Sequence, residues 1–264
     1  MGKTSLIQPR ASEKMDAIFN ALEDGWPNAK RNRQIAETYI LWGLIGNNAN
    51  IIRSGNKFIF VDMPYNGRFY PGTDISRSYW RVCPNGLHNN TRLDVSSDRF
   101  ESWGVTLKPY EERDFILICP SSETMTQFMH GCSVNEWVAS VKRVIAFYTN
   151  RPIRVRLKPR KAGTSGPAVA DIPIENDLMG CHAVVASASL CAIDALKEGV
   201  QVFSTSSLNP AAWEAQTDFS KINKVTDKDD RLSLFSNLAW KQYSIEEMRS
   251  GFCYDSIQRL FSNK

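Results

Sequence analysis

Two serines one residue apart, Ser187 and Ser189, stand where an apolar run gives way to a helical pattern. Hydroxyls and free backbone N–H groups at a helix start behind a strand suit an anion, most often a phosphate. The same serines could also do no more than cap the helix. Two cations, Lys158 and Arg160, end an alternating segment at the point where a cleft would open. In the first half, Asp62 is the last residue of an apolar run and is followed by Met63-Pro64, which ends that run. In open α/β sheets the carboxyl ends of strands face the ligand crevice, so Asp62 is placed to bind or to accept a proton. Capping its own loop is the plainer alternative for that residue.

These groups need elements to hold them. Residues 183–186 form an apolar run long enough for a buried strand, and Leu190, Ile193, Ala195 and Leu196 keep a helical period. Gly199 stops the helix and residues 200–203 read as the next strand, which makes a βαβ unit with parallel strands. Upstream, residues 115–119 are an apolar run ending in the polar turn Pro120-Ser121-Ser122. Residues 134–148 place Trp137, Val138, Val141, Val144, Ile145 and Tyr148 at helical spacing. Across 151–160, Ile153, Val155 and Leu157 alternate with Arg154, Arg156 and Lys158, and a loop follows at 163–166. Strand, helix, strand, loop, strand, helix, strand predicts a doubly wound α/β sheet.

The first half shows the same grammar more raggedly. Residues 12–23 read as a helix capped by Ser12, and Tyr39-Ile40-Leu41-Trp42 as a strand within 35–44. Gly43, Gly46 and Asn47 follow before a helical stretch at 49–53, a junction that a ligand could approach closely. Residues 57–62 and 79–83 are further strands; Arg77 and Arg81 flank the second, and Pro84-Asn85-Gly86 follows it. Residues 94–113 look like a connector. The tail reads as helices at 232–240, 244–250 (with a Ser244/Glu247 capping box) and 254–261. Gly2-Lys3-Thr4 has the end of a P-loop with nothing before it to form the loop.

Composition narrows the function classes. The chain has 264 residues and a net charge of +4, which permits phosphate contacts but is far from a dedicated nucleic-acid binder. No stretch approaches a transmembrane length and residues 1–20 lack a signal-peptide core, so a cytoplasmic protein without membrane insertion is expected. The six cysteines form no CxxC pair and read as small buried hydrophobes. His88, His130 and His182 are too dispersed to suggest a metal, and no cofactor is expected. Asp227 and Asp229 form a DxD, which some sugar-transferring enzymes use to hold a cation, but its polar surroundings favour a solvated loop.

Taken in order, several segments resemble bacteriophage-encoded and capsule-type glycosyltransferases of the GT-B architecture. They are Phe58-Ile-Phe-Val-Asp62, Tyr79-Trp-Arg-Val-Cys-Pro-Asn85-Gly86, Ile118-Cys-Pro-Ser-Ser122, and Arg151 through Pro159. The others are Val184-Val-Ala-Ser-Ala-Ser189, Ala192 through Phe203, and Trp240 through Gly251. The resemblance implies two Rossmann-like domains facing each other across a cleft, with C-terminal helices. The expected division is 1–108 for acceptor and catalysis, 109–235 for the nucleotide-sugar, and 236–264 packing back across both. It implies transfer of a sugar, without metal, from a nucleotide-sugar to an acceptor hydroxyl. Phage relatives suggest a hydroxymethylated pyrimidine in duplex DNA as acceptor; a capsule polysaccharide and an inactive nucleotide-binding module are the alternatives.

By the same resemblance Ser187 and Ser189 would hold the diphosphate and Asp194 the ribose, where relatives usually have Glu. Ser121, Lys158 and Arg160 join this donor group, with Lys158 neutralising the leaving phosphate. Asp62 would be the catalytic base, with His88 as the fallback because Met63-Pro64-Tyr65 stands where relatives often read His-Gly-Tyr. Gly46, Asn47, Arg77, Arg81 and Asn85 would line the acceptor side.

Overall fold

The computed structural model describes residues 2–9, 11–68, 74–159, 168–170 and 172–261. It divides into two compact units, Met1–Trp103 with Phe235–Lys264, and Gly104–Leu234. In chain order the first elements are β1 Thr4–Ile7, α1 Glu13–Gly25, β2 Ala29–Arg31, β3 Thr38–Trp42, α2 Asn48–Arg53, β4 Lys57–Asp62, β5 Tyr79–Pro84 and α3 Asp98–Glu101. Next come β6 Phe115–Cys119, α4 Glu123–His130, α5 Val134–Ala146, β7 Ile153–Val155, α6 Ile174–Leu178, β8 Cys181–Ala186, α7 Cys191–Lys197 and β9 Gln201–Ser204. The chain closes with α8 Arg231–Ala239, β10 Gln242–Ser244, α9 Ile245–Arg249 and α10 Phe252–Phe261.

In the unit Gly104–Leu234 the sheet order is β7-β6-β8-β9, with every pairing parallel. The chain leaves β6 for β7 on one side and then crosses to β8 on the other, so the order reverses between β6 and β8. Ligands of open α/β sheets bind at the carboxyl edge of that switch point. β6 and β8 are buried along their whole length, which is why they read as unbroken apolar runs. α5 packs Trp137, Val141 and Ile145 onto Ile116, Ile118, Ala183, Val185 and Phe203. Its start is fixed by Ser133, whose hydroxyl accepts from the Glu136 N–H while Glu136 accepts from the Ser133 N–H.

The unit built from both chain ends has the sheet order β10-β5-β4-β3-β1-β2. The pairings β2–β1, β1–β3 and β3–β4 are parallel, whereas β5 runs antiparallel to β4, and β10 antiparallel to β5. The ragged reading of this half had a cause. β1 and β2 are four and three residues long, too short to show a period. β10 is three residues inside what reads as a helical tail.

Other expectations needed correction. The alternating segment 151–160 forms a strand over only three residues, β7. The polar turn after β6 opens the helix α4, capped by the Ser122 hydroxyl and ended by Gly131 at φ +68°. The connector at 94–113 contains α3, and α6 lies between the loop at 163–166 and the strand at 183–186, where no element was expected. The loop at 163–166 and Arg160 lie outside the described residues. No described helix is long and apolar enough to cross a membrane.

Candidate functional site

The carboxyl edge between β6 and β8 gathers three of the expected donor residues. Ser121 follows β6, and Ser187 and Ser189 follow β8. The Ala188 N–H donates to the Ser121 hydroxyl at 3.4 Å, tying the two turns together. The serines are not the N-cap of α7, a place taken by Leu190 without a side-chain hydrogen bond; Ser189 instead accepts from the Cys191 N–H at 3.4 Å. Ser187 is 2 % exposed. Its hydroxyl meets the His130 Nε2 at 2.7 Å, and burial holds that imidazole below its ordinary range. The Asn209 amide donates to the Ala186 carbonyl at 3.1 Å and closes the end of β8.

A groove of about 480 Å³ opens beside His130, with Trp137, Phe219, Glu136, Ser140 and Thr205 in its wall. The Thr205 hydroxyl oxygen is buried and makes no hydrogen bond among the described residues. Sequence reasoning missed His130 and Thr205. The end of α4 at Gly131 was a usable signal for a helix there. Nothing local signals the meeting of His130 with Ser187, since it joins residues 57 apart.

The remaining donor candidates are less convergent. Lys158 follows β7 and is exposed. Asp194 points along its own helix to Lys197, 3.8 Å away. Asp229 of the DxD is clamped by Arg231 at 2.6 and 2.7 Å, which holds its carboxyl below the usual range. In a cation site both carboxylates would need to be available.

In the other unit the structure joins three candidates into one network. Asp62 ends β4 opposite Arg81 of β5, and the antiparallel register brings their side chains together. The Arg81 guanidinium, 2 % exposed, donates to Asp62 Oδ2 at 3.1 Å and to His88 Nδ1 at 2.5 Å. His88, itself buried, meets Arg81 as the acceptor, since a guanidinium can only donate. Tyr65 donates to the His88 carbonyl at 3.2 Å. The other carboxylate oxygen of Asp62 accepts from the Met63 N–H at 2.8 Å. The Asp62 side chain keeps 27 % of its surface exposed, so it can be reached.

The other expected acceptor-side residues serve local structure. Asn85, at φ +50°, accepts from the Phe58 N–H through its side chain and donates its own N–H to the Phe58 carbonyl, closing the β4–β5 ladder. Arg77 is a surface side chain 3.9 Å from Asp74. Gly46, at φ +58°, and Asn47 form the turn into α2, where Asn47 accepts from the Asn50 amide at 2.7 Å. Neither is joined to the Asp62 network by a described contact.

No family model matches this chain, and no curated protein matches it in sequence. Solved structures do match in fold. The Thermosulfurimonas dismutans KpsC β Kdo 2,7 transferase aligns with a TM-score of 0.54 at 11 % identity, covering 96 % of this chain and 99 % of that one. The KpsC β Kdo 2,4 transferase of the same organism aligns with a TM-score of 0.54 at 9 % identity, covering 92 % of each chain. At such identity the likeness concerns the fold alone: this chain has a glycosyltransferase-like mixed α/β fold.

Proposed function

We propose that this chain is a glycosyltransferase that moves a sugar from a nucleotide-sugar donor to an acceptor hydroxyl. The carrying observation is the convergence of Ser121, Ser187 and Ser189 at the switch point between β6 and β8, the place where this kind of sheet binds ligands. The turn supplies hydroxyls and backbone N–H groups for the phosphates. The neighbouring groove, with Trp137, Phe219 and the unpartnered Thr205 hydroxyl in its wall, has the character of a pocket for the flat base. Lys158 and Arg160 would meet charge building on the leaving phosphate. In the other unit Asp62 is the proposed base, since it is a partly exposed carboxylate at the end of a strand that runs parallel to β3. Buried His88 is the positioning group behind Arg81.

The solved structures of like fold are named as Kdo transferases, which favours a carbohydrate acceptor over duplex DNA. The net charge of +4 is the remaining support for DNA. A second reading, a nucleotide-binding module without turnover, draws on the engagement of both Asp62 oxygens. A panel of labelled nucleotide sugars, with sugar acceptors and with modified DNA, separates these readings. Transfer, or even slow donor hydrolysis, supports the enzyme, while binding with no turnover supports the module. No binding of any nucleotide sugar would defeat both.

A further inference from the structure

We propose that this chain pairs with a second copy of itself through the outer face of α5, each copy placing Phe147 in the groove beside His130 of the other. α5 turns Trp137, Val141 and Ile145 to the sheet. Glu136, Ser140, Arg143, Val144 and Phe147 recur at three- and four-residue spacing and share a different side of the helix, where all five are exposed. Phe147, which caps the end of α5, is 84 % exposed, the most of any described large hydrophobic side chain. Val144 beside it is 41 % exposed. Single exposed apolar side chains are ordinary, but adjacent ones that run on into a groove mark a contact surface. Val144 is itself in the wall of that groove, with Trp137, Val141 and Phe219, so knob and hole lie on one surface. At about 480 Å³ the groove has room for a phenyl ring.

A second copy is the occupant because the face is complementary to itself. Glu136 and Arg143 stand on either side of Ser140, about 10 Å apart along the axis. A two-fold axis at Ser140 lays two α5 helices antiparallel, and the small side chain lets their backbones approach. That axis sets Arg143 against the partner's Glu136, and the reciprocal contact repeats it. It also brings Phe147 to the partner's Ser133 and Cys132, at the His130 end of the groove. Glu136 has an oxygen to offer: Oε2 accepts from the Ser133 N–H and hydroxyl at 2.8 and 2.7 Å, while Oε1 has no partner among the described residues. Arg143 is in no ion pair among the described residues. A foreign partner would have to supply an anion, a cation and a matching cavity at these spacings; a second copy brings all three by symmetry. The contact covers the groove, so it belongs to the chain without ligand, and it does not rest on the reading of that groove as a base pocket.

The test is sedimentation equilibrium of the native chain without ligand, from about 1 to about 100 µM. The expected result is a mass that rises with concentration from one chain to two. Phe147→Ser removes a side chain that is mostly in solvent in the single copy, so its unfolding midpoint should not move. Its dimer should nonetheless be at least about tenfold weaker. Arg143→Glu sets carboxylate against carboxylate and should weaken the dimer in the same way. Adding Glu136→Arg to Arg143→Glu reverses both signs and should restore most of the association. A native chain that stays a single copy at about 100 µM would overturn the proposal. So would a dimer whose affinity is unmoved by both Phe147→Ser and Arg143→Glu.

Discussion

Replacing Asp62 by Asn tests the network that the structure places around the proposed base. Arg81 is almost fully buried, and Asp62, 3.1 Å away, is its ion-pair partner among the described residues. At that distance the attraction is about 5 kcal/mol at an effective dielectric of about 20. Desolvation of both groups offsets much of it, yet removing one partner of a buried pair typically costs about 3–5 kcal/mol, because a charge is left behind. Water reaches the Asp62 side chain, 27 % exposed, so the expected loss lies at or just below the bottom of that range, about 2–3 kcal/mol. In urea, with a slope of about 2 kcal/mol per M, the midpoint should fall by roughly 1 M. Tryptophan fluorescence follows this well, since Trp80 is the buried neighbour of Arg81 in β5. Arg81→Met removes the stranded cation, so Asp62→Asn in that background should cost much less than alone. An unchanged midpoint for Asp62→Asn, or equal losses in both backgrounds, would refute the buried-pair reasoning. It follows that lost activity in Asp62→Asn identifies a base only when measured where the variant is still folded.

Three further outcomes follow from the structure. Gly199 sits at φ +67°, and a Cβ there would stand 2.1 Å from the Pro109 carbonyl oxygen. Gly199→Ala should therefore cost about 2–4 kcal/mol in chemical denaturation. His182 is buried, with Nδ1 accepting from the Arg113 N–H at 3.2 Å, and burial pushes its imidazole below the ordinary 6.5. The unfolded chain then takes up the proton first, so stability is kept above pH 6.5 and lost as the pH falls below it. Tm should drop between neutral and acid pH, less steeply in His182→Asn, and a flat wild-type profile would contradict this. Ser133→Ala removes the capping box of α5 and should cost about 1 kcal/mol, read by thermal unfolding.

The elements that were legible in the sequence are those whose burial is one-dimensional. β4, β6 and β8 are runs of apolar residues with polar punctuation, and α5 has one wide apolar stripe, so their patterns survive without tertiary information. β1, β2 and β10 draw their stability from ladder bonds to neighbours far away in sequence, and three or four residues carry no period. The same divide applies to the candidate site. Ser187, Ser189 and Asp62 could be singled out because the serines follow a strand and the aspartate ends one. The His130–Ser187 contact and the Asp62–Arg81–His88 chain arise from strand register and helix placement, which no local pattern encodes. At Ser189 the helix start falls one residue later, at Leu190, so the serine accepts from the Cys191 N–H without being the N-cap, a one-residue difference set by backbone geometry.

The central claim is that the turn after β8 holds a nucleotide's phosphates, and calorimetric titration of nucleoside diphosphates tests it most directly. Ser187 is buried against His130 and a bulky replacement there would disturb the fold, so the informative variant is Ser189→Leu, at the partly exposed edge of the turn. The account predicts saturable binding by the native chain and at least about tenfold weaker binding by Ser189→Leu, a loss of about 1.4 kcal/mol. Equal affinity in the two proteins, with the variant's unfolding midpoint unchanged, would place the phosphates elsewhere and contradict the account.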